Sequence, residues 1–265
     1  MQNLSNVASE QRQRIWHESD RGRTLGGKAS GLVRACLAGF DVPDFVAIPV
    51  GEIALMSPDN LGPQVEHFLT ARRHRSAGES FAVRSSMAIE DQPGESAAGL
   101  GHTELNVIGR WNLFVAFQRV AASFHADTVQ NYVCQMGGAA CRMEGTVVLQ
   151  DMVTPTLSGV LFTCDPFTGD PSRIHIDAVC GPCKRVVDGF ATIQAVVDRL
   201  TNVTTAEGPS AKALTPEHVM KLTDLIDRHD ARIGLRYDIE FAFLDGLTPI
   251  VLQSRPVTTP SRQHS

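Results

Sequence analysis

The chain has 265 residues, 43% of them hydrophobic and 20% charged, enough for one large or two modest domains with a proper core. Its net charge of -5 offers no general attraction to nucleic acid or to an acidic membrane surface, and its basic residues form no long run. No basic start leads into an apolar segment and no stretch approaches the ~20 apolar residues of a membrane span, so the expectation is a cytoplasmic protein with no membrane partner.

Residues 1–20 are polar and read as a helix or a loose arm. Leu25-Gly26-Gly27-Lys28 opens an amphipathic helix with apolar positions Leu32, Val33, Ala35, Cys36 and Leu37, closed by Gly39 as a C-cap; Val42-Pro43 then begins an extended segment to Ile48. A helix is expected over 62–75, ending in a basic cluster, and a strand over 81–84 running into a polar loop over 85–101. Residues 111–136 carry a helical pattern, read as two helices around His125-Ala-Asp127. Strands are expected at 146–153, 159–163, 173–179 and 192–197. Thr215-Pro216-Glu217 caps a helix to about residue 233; a closing hairpin turns at Asp245-Gly246, and 258–265 is a tail. Mixed elements in this order predict an α+β architecture in two lobes, residues 1–145 and 146–258, with 259–265 trailing.

The closing hairpin is the most informative stretch. Side chains two apart on a strand share a face, so it presents Asp238 and Glu240 on one strand and Gln253 and Arg255 on its neighbour. Charges near a core are costly unless paired with each other or with a ligand. The plain alternative is a structural ion pair between Glu240 and Arg255.

Upstream, Gly26-Gly27-Lys28 at a helix start suits an anion: glycines let the backbone approach, free N–H groups point outward and a lysine adds charge. Alone it is a weak signal. Phe81-Ala-Val-Arg84-Ser85-Ser86 is stronger, with an arginine at a strand end, two hydroxyls in the expected turn, and Glu90 and Asp91 beyond; a structural Arg84–Glu90 bridge is the alternative. Ser96-Ala-Ala-Gly99-Leu-Gly101-His102-Thr103 follows as a small-residue loop able to fold over a polyphosphate.

The six cysteines are too sparse for a disulfide framework. Cys180-Gly-Pro-Cys183 matches the letters of a thioredoxin redox motif, but that chemistry needs its first cysteine at a helix N-terminus. Residues 184–189 make a poor helix, so two loop thiols is the reading preferred. No second pair of ligands is spaced for zinc.

Taken together, these motifs resemble the N-terminal ATP-binding domain of the pyruvate phosphate dikinase and phosphoenolpyruvate synthase family, also found in rifampicin phosphotransferase. The resemblance spans about residues 22–258. It rests on the Gly-Gly-Lys followed by Val-Pro, the Arg84-Ser-Ser segment with its small-residue loop, and Val148-Leu-Gln150-Asp151-Met152-Val153. Ser158-Gly159-Val160-Leu-Phe162-Thr163-Cys-Asp165-Pro166 and the Asp-x-Glu and Gln-x-Arg hairpin complete it. It implies an ATP-grasp-like fold with ATP and Mg²⁺ between two lobes. Lys28, Arg84, Gly99, Gly101 and Thr103 would serve the phosphates, and Gln150, Asp151, Met152 and Val153 the adenine. Asp238, Glu240 and Gln253 would stand at the metal, with Arg255, Glu240, Lys28 and Arg84 as the catalytic set.

Departures bear on the acceptor. The expectation is that the family's swivelling phosphohistidine domain is not on this chain, and where the family has Gly-Leu-Gly-Glu this chain has Gly181-Pro-Cys183-Lys184. The expectation is therefore a free-standing Mg-ATP-dependent phosphotransferase acting on a small molecule or on a separate phosphocarrier domain. The alternatives are an ATP-grasp-type ligase forming an acyl phosphate, with Lys184 and Arg185 holding a carboxylate, and a non-catalytic ATP-binding subunit.

Overall fold

A computed structural model describes residues 25–72, 80–87, 101–129, 145–183, 186, 189–234 and 236–257. The expected arm, the end of the 62–75 helix, the polar loop over 88–100, the second helix beyond Val129 and the tail therefore fall wholly or largely outside the described residues. What is described is α+β, in two compact units that exchange short segments of chain: Met1–Val33, Asp44–Gln92 and Ser96–Met152 in one, Arg34–Pro43, Pro93–Glu95 and Val153–Ser265 in the other.

In the first unit, α1 (Gly27–Leu37) begins at the Gly-Gly-Lys and its C-terminal residues pass into the second. Its end is a Schellman motif: Phe40 N–H donates to Ala35 O and Gly39 N–H to Cys36 O, with Gly39 at φ +78°. Leu37, expected on the apolar stripe, is 60% exposed, because the last turn rotates it away from the face that buries Leu32, Val33 and Ala35. After β1 (Phe45–Pro49), a short α2 (Val50–Ile53) and α3 (Pro63–Arg72) come β2 (Ser80–Met87), β3 (Thr103–Ile108), α4 (Arg110–Ser123) and β4 (Gly145–Asp151). The strands form one antiparallel sheet in the order β1-β4-β2-β3. Period-two alternation sends Val46, Ile48, Phe81, Val83, Val147 and Leu149 to one face, where Leu113, Phe117, Val120 and Phe124 at α4, with Val65 and Phe68 from α3, complete the core. β3 was not expected: Thr103-Glu-Leu-Asn-Val-Ile is an edge strand in which only Val107 is buried, so its short alternation of Leu105 and Val107 with polar residues is a weak signal.

The second unit is a six-stranded antiparallel sheet in the order β10-β9-β5-β6-β7-β8. Its strands are β5 (Leu157–Phe162), β6 (Arg173–Cys180), β7 (Ile193–Asp198), β8 (Val203–Glu207), β9 (Tyr237–Phe243) and β10 (Ile250–Pro256). Helix α5 (Pro216–Arg232) starts as expected, with Thr215 Oγ1 accepting from His218 N–H and Pro216 in the first turn. It covers one face of the sheet: His218 meets the Phe243 ring edge-on, and His229 meets Tyr237 and hydrogen-bonds Ser254 Oγ at 3.0 Å. The row Ile239, Leu161, Ile176 and Ala195 on that face is fully buried or nearly so.

Candidate functional site

In the first unit, the face of the sheet opposite the core gathers most of the expected phosphate-side residues. Phe81, Val83 and Met87 enter the core, so Ala82, Arg84 and Ser86 alternate outward. Register places Arg84 opposite Val148 on β4 and Thr103 on β3, and Ala82 opposite Gln150. Arg84, Thr103 and Gln150 therefore share one face, while Asp151 alternates to the other side of β4.

Ser85 and Ser86 are not in a turn. Both lie within β2 and are fully buried, because the strand continues beyond Arg84 in register with β4. Ser86 Oγ accepts from Ala29 N–H at 2.9 Å and donates to Leu25 O at 3.0 Å; Thr146 Oγ1, directly across on β4, donates to the same carbonyl at 2.7 Å. Gly26 sits at φ +75°, and a Cβ there would stand 2.1 Å from Ser86 O, so only glycine lets the turn close on the strand. These contacts hold the start of α1, and with it Lys28, on the face that carries Arg84. Ser85 exchanges hydrogen bonds with His102 through both N–H and Oγ, fixing the Gly101-His102-Thr103 segment to β2. Nothing local in the sequence distinguishes a serine that binds phosphate from one that anchors the turn. Met152 and Val153 are partly exposed and carry the chain from one unit to the other. Gly99, Glu90, Asp91, Lys184 and Arg185 lie outside the described residues.

In the second unit the hairpin pairs as the alternation requires, with Arg255 opposite Asp238 and Gln253 opposite Glu240, and a bulge beside Leu252. Arg255 pairs with Asp238, a partner that the plain Glu240–Arg255 alternative did not name: Arg255 Nε and Nη2 lie 2.8 and 2.7 Å from Asp238 Oδ2. Register favours this pair, since Asp238 is directly across from Arg255 and Glu240 is diagonal. Burial pushes the Asp238 carboxyl up; Arg255 pulls it down and the charge of Glu240 raises it further.

This polar face extends beyond the hairpin. Asp238 lies opposite Phe162 and Glu240 opposite Val160 on β5; these in turn lie opposite His175 and Asp177 on β6, followed by Val196 and Gln194 on β7. Part of the same side is closed by a small cluster of Val179, Cys183 and Val186 packed with Val160, Ala191 and Leu252. Cys180 ends β6 rather than opening a helix, so it lacks the thiolate-stabilising N-terminus of a redox motif.

Among the described residues no group of three or more His, Cys, Asp or Glu could hold a metal ion unaided. Magnesium needs less, since one or two carboxylates suffice when phosphate oxygens and water fill the rest. Asp238 and Glu240 fit that demand, because a dication would offset both the burial that chiefly raises the Asp238 carboxyl and the smaller repulsion from Glu240.

Residues 55–199, more than half of the chain, match the family described as the pyruvate phosphate dikinase AMP/ATP-binding domain. Rifampicin phosphotransferase of Streptomyces sviceus is 34% identical over 234 residues, covering 79% of this chain and 26% of that protein. Its counterpart in Bacillus cereus is 30% identical over 231 residues, covering 78% and 26%. A probable phosphoenolpyruvate synthase of Archaeoglobus fulgidus is 30% identical over 203 residues, covering 67% and 27%. The chain thus spans about a quarter of the length of these relatives.

Proposed function

Because the chain belongs to the family of pyruvate phosphate dikinase AMP/ATP-binding domains, we propose that it binds Mg-ATP and transfers a phosphoryl group from it. The observation that carries the reading is the polar face of the second sheet, where Asp238, Glu240, Gln253 and Arg255 stand in cross-strand pairs in place of the apolar residues of the opposite face. Phosphoryl transfer asks a protein chiefly for position and for cations where charge spreads over the transferred group.

Lys28 and Arg84 serve the phosphates in this reading, supported by the anchoring of the Gly-Gly-Lys turn to β2. Asp238, Glu240 and Gln253 hold Mg²⁺, which when bound neutralises phosphate charge. Arg255 presents a fork of N–H groups whose plane Asp238 fixes, suited to the oxygens of the transferred group. Gln150 to Val153 serve the adenine. The acceptor is a small organic molecule, as the relatives named for rifampicin and phosphoenolpyruvate suggest, or a phosphocarrier domain.

Calorimetry with ATP, with and without Mg²⁺, tests the reading first. Binding that strengthens with Mg²⁺ and weakens in Lys28→Ala and Glu240→Ala is the expected result. No binding of ATP by the intact chain in either condition would sink it.

A further inference from the structure

One pair on the polar face has no part in the nucleotide site. His175 lies in the row Arg255, Asp238, Phe162, His175, two strands from Asp238 and about 10 Å away at the usual strand spacing. Its Nε2 is 3.2 Å from Asp165 Oδ2. The other oxygen of Asp165 accepts the N–H groups of Phe167 and Thr168, each at 2.8 Å. The Thr168 N–H, with lesser help from Phe167 and His175 and against the opposing effect of burial, holds this carboxyl below its ordinary value. An ionised carboxylate only accepts hydrogen bonds, so the neutral ring facing it places its proton on Nε2 and its lone pair on Nδ1. No hydrogen bond from the described residues reaches Nδ1, and the side chain is a quarter exposed. A strut between β6 and the turn after β5 would not need an open ring edge, since Asp165 is already tied by two main-chain bonds.

We propose that His175, oriented by Asp165, is the general base that takes the proton of the acceptor, and that the acceptor is accordingly a hydroxyl compound. The inference rests on the phosphotransfer reading of the same face. As the acceptor oxygen bonds to the transferred phosphorus, the bond from that phosphorus to the bridging oxygen of the nucleotide breaks, its electron pair leaving with the nucleotide. The acceptor's proton passes to Nδ1, and Asp165 stabilises the imidazolium until it loses that proton to water. Phe162, partly exposed between the two columns, floors the gap in which phosphoryl group and acceptor oxygen meet.

Water is the simplest hydroxyl acceptor and the probe for the test. Orthophosphate release from Mg-ATP is measured on the intact chain beside calorimetric ATP affinity. His175→Gln is expected to lose at least ~100-fold in phosphate release, the usual worth of a general base, with ATP affinity unchanged. Asp165→Asn is expected to lose less, and added imidazole to restore release to His175→Ala. Release by His175→Gln within about threefold of wild type, well short of a general base's worth, would overturn the proposal. So would a wild type that binds Mg-ATP yet releases no phosphate above the protein-free rate, since the open ring edge admits water. A wild type that fails to bind ATP refutes instead the reading underneath, and the inference falls with it.

Discussion

Replacing Arg255 by alanine separates a catalytic guanidinium from a structural one. Asp238 is 7% exposed, and one of its oxygens receives both contacts from Arg255, at 2.8 and 2.7 Å. Stranding a buried acceptor costs about 1–3 kcal/mol. The Arg255 side chain is 41% exposed, so water enters as it leaves and the loss should sit near ~1 kcal/mol. Urea unfolding at neutral pH measures that part, and Asp238→Asn in the same background should recover most of it. The catalytic part is larger: losing one preorganised donor to a developing charge costs about 10²–10³ in rate. Arg255→Ala should therefore lower phosphate release from Mg-ATP by that factor while the affinity for ATP weakens by less than about tenfold, or 1.4 kcal/mol. Arg255→Lys should stay impaired, since an ammonium keeps the charge but not the fork. A variant that loses ~1 kcal/mol of stability yet releases phosphate at the wild-type rate would show that the pair only holds the hairpin together.

Glu240→Ala should shift the Mg²⁺ dependence of ATP binding to higher magnesium while leaving metal-free binding intact; an unchanged magnesium titration removes Glu240 from the metal. Ser86→Ala strands the Ala29 N–H and leaves Leu25 O with Thr146 Oγ1 as its side-chain donor, at about 1–3 kcal/mol of unfolding free energy. It should also weaken ATP binding through Lys28, and full affinity in a destabilised variant would deny the turn its role. His229 is fully buried, and burial, followed by the opposing bond at Gly234 and the repulsion of Arg34, lowers its value from 6.5 to about 4. Its neutral form is the one the fold accepts, so stability is complete above pH 6.5 and falls progressively toward pH 4, by up to ~3 kcal/mol at 1.36 kcal/mol per unit. His229→Gln should flatten thermal stability between those pH values, and an unchanged slope would assign the acid sensitivity elsewhere.

The sequence was legible where one residue pattern has one physical solution. Alternation in 238–243 and 250–255 fixed which side chains share a face, and Thr215-Pro216 fixed a helix start, because both signals are local. It was misleading where the partner is remote. Arg84-Ser85-Ser86 reads as phosphate chemistry throughout, yet the serine hydroxyls bond to Leu25, Ala29 and His102, at sequence separations of 61, 57 and 17. The Asp238–Arg255 pair was missed for a smaller reason: only the register, with its bulge beside Leu252, says which acid stands opposite the guanidinium. β8 was invisible because all five of its residues are exposed, leaving no apolar alternation to read. His175 and Asp177 did carry a signal, alternating with Ile174 and Ile176, but a polar strand face is ordinary until its neighbours are known.

The two sheets divide the work by contrast between their faces. In the first, hydroxyls are consumed inside the structure so that a turn too tight for any side chain at Gly26 can hold Lys28 where the fold requires it. In the second, α5 packs over one face of β9 and β10, so the charged residues there have the other face to occupy. Acids placed there are costly to charge: burial above all, and to a smaller extent the charge of Glu240, raises the carboxyl of Asp238 against the opposing pull of Arg255. A purely structural face would avoid that cost with apolar side chains, as the row Ile239, Leu161, Ile176 and Ala195 does on the reverse. Keeping two acids, an amide and an arginine together is intelligible when a dication and polyphosphate complete the charge balance, which is why magnesium and ATP should stabilise the chain together more than either does alone.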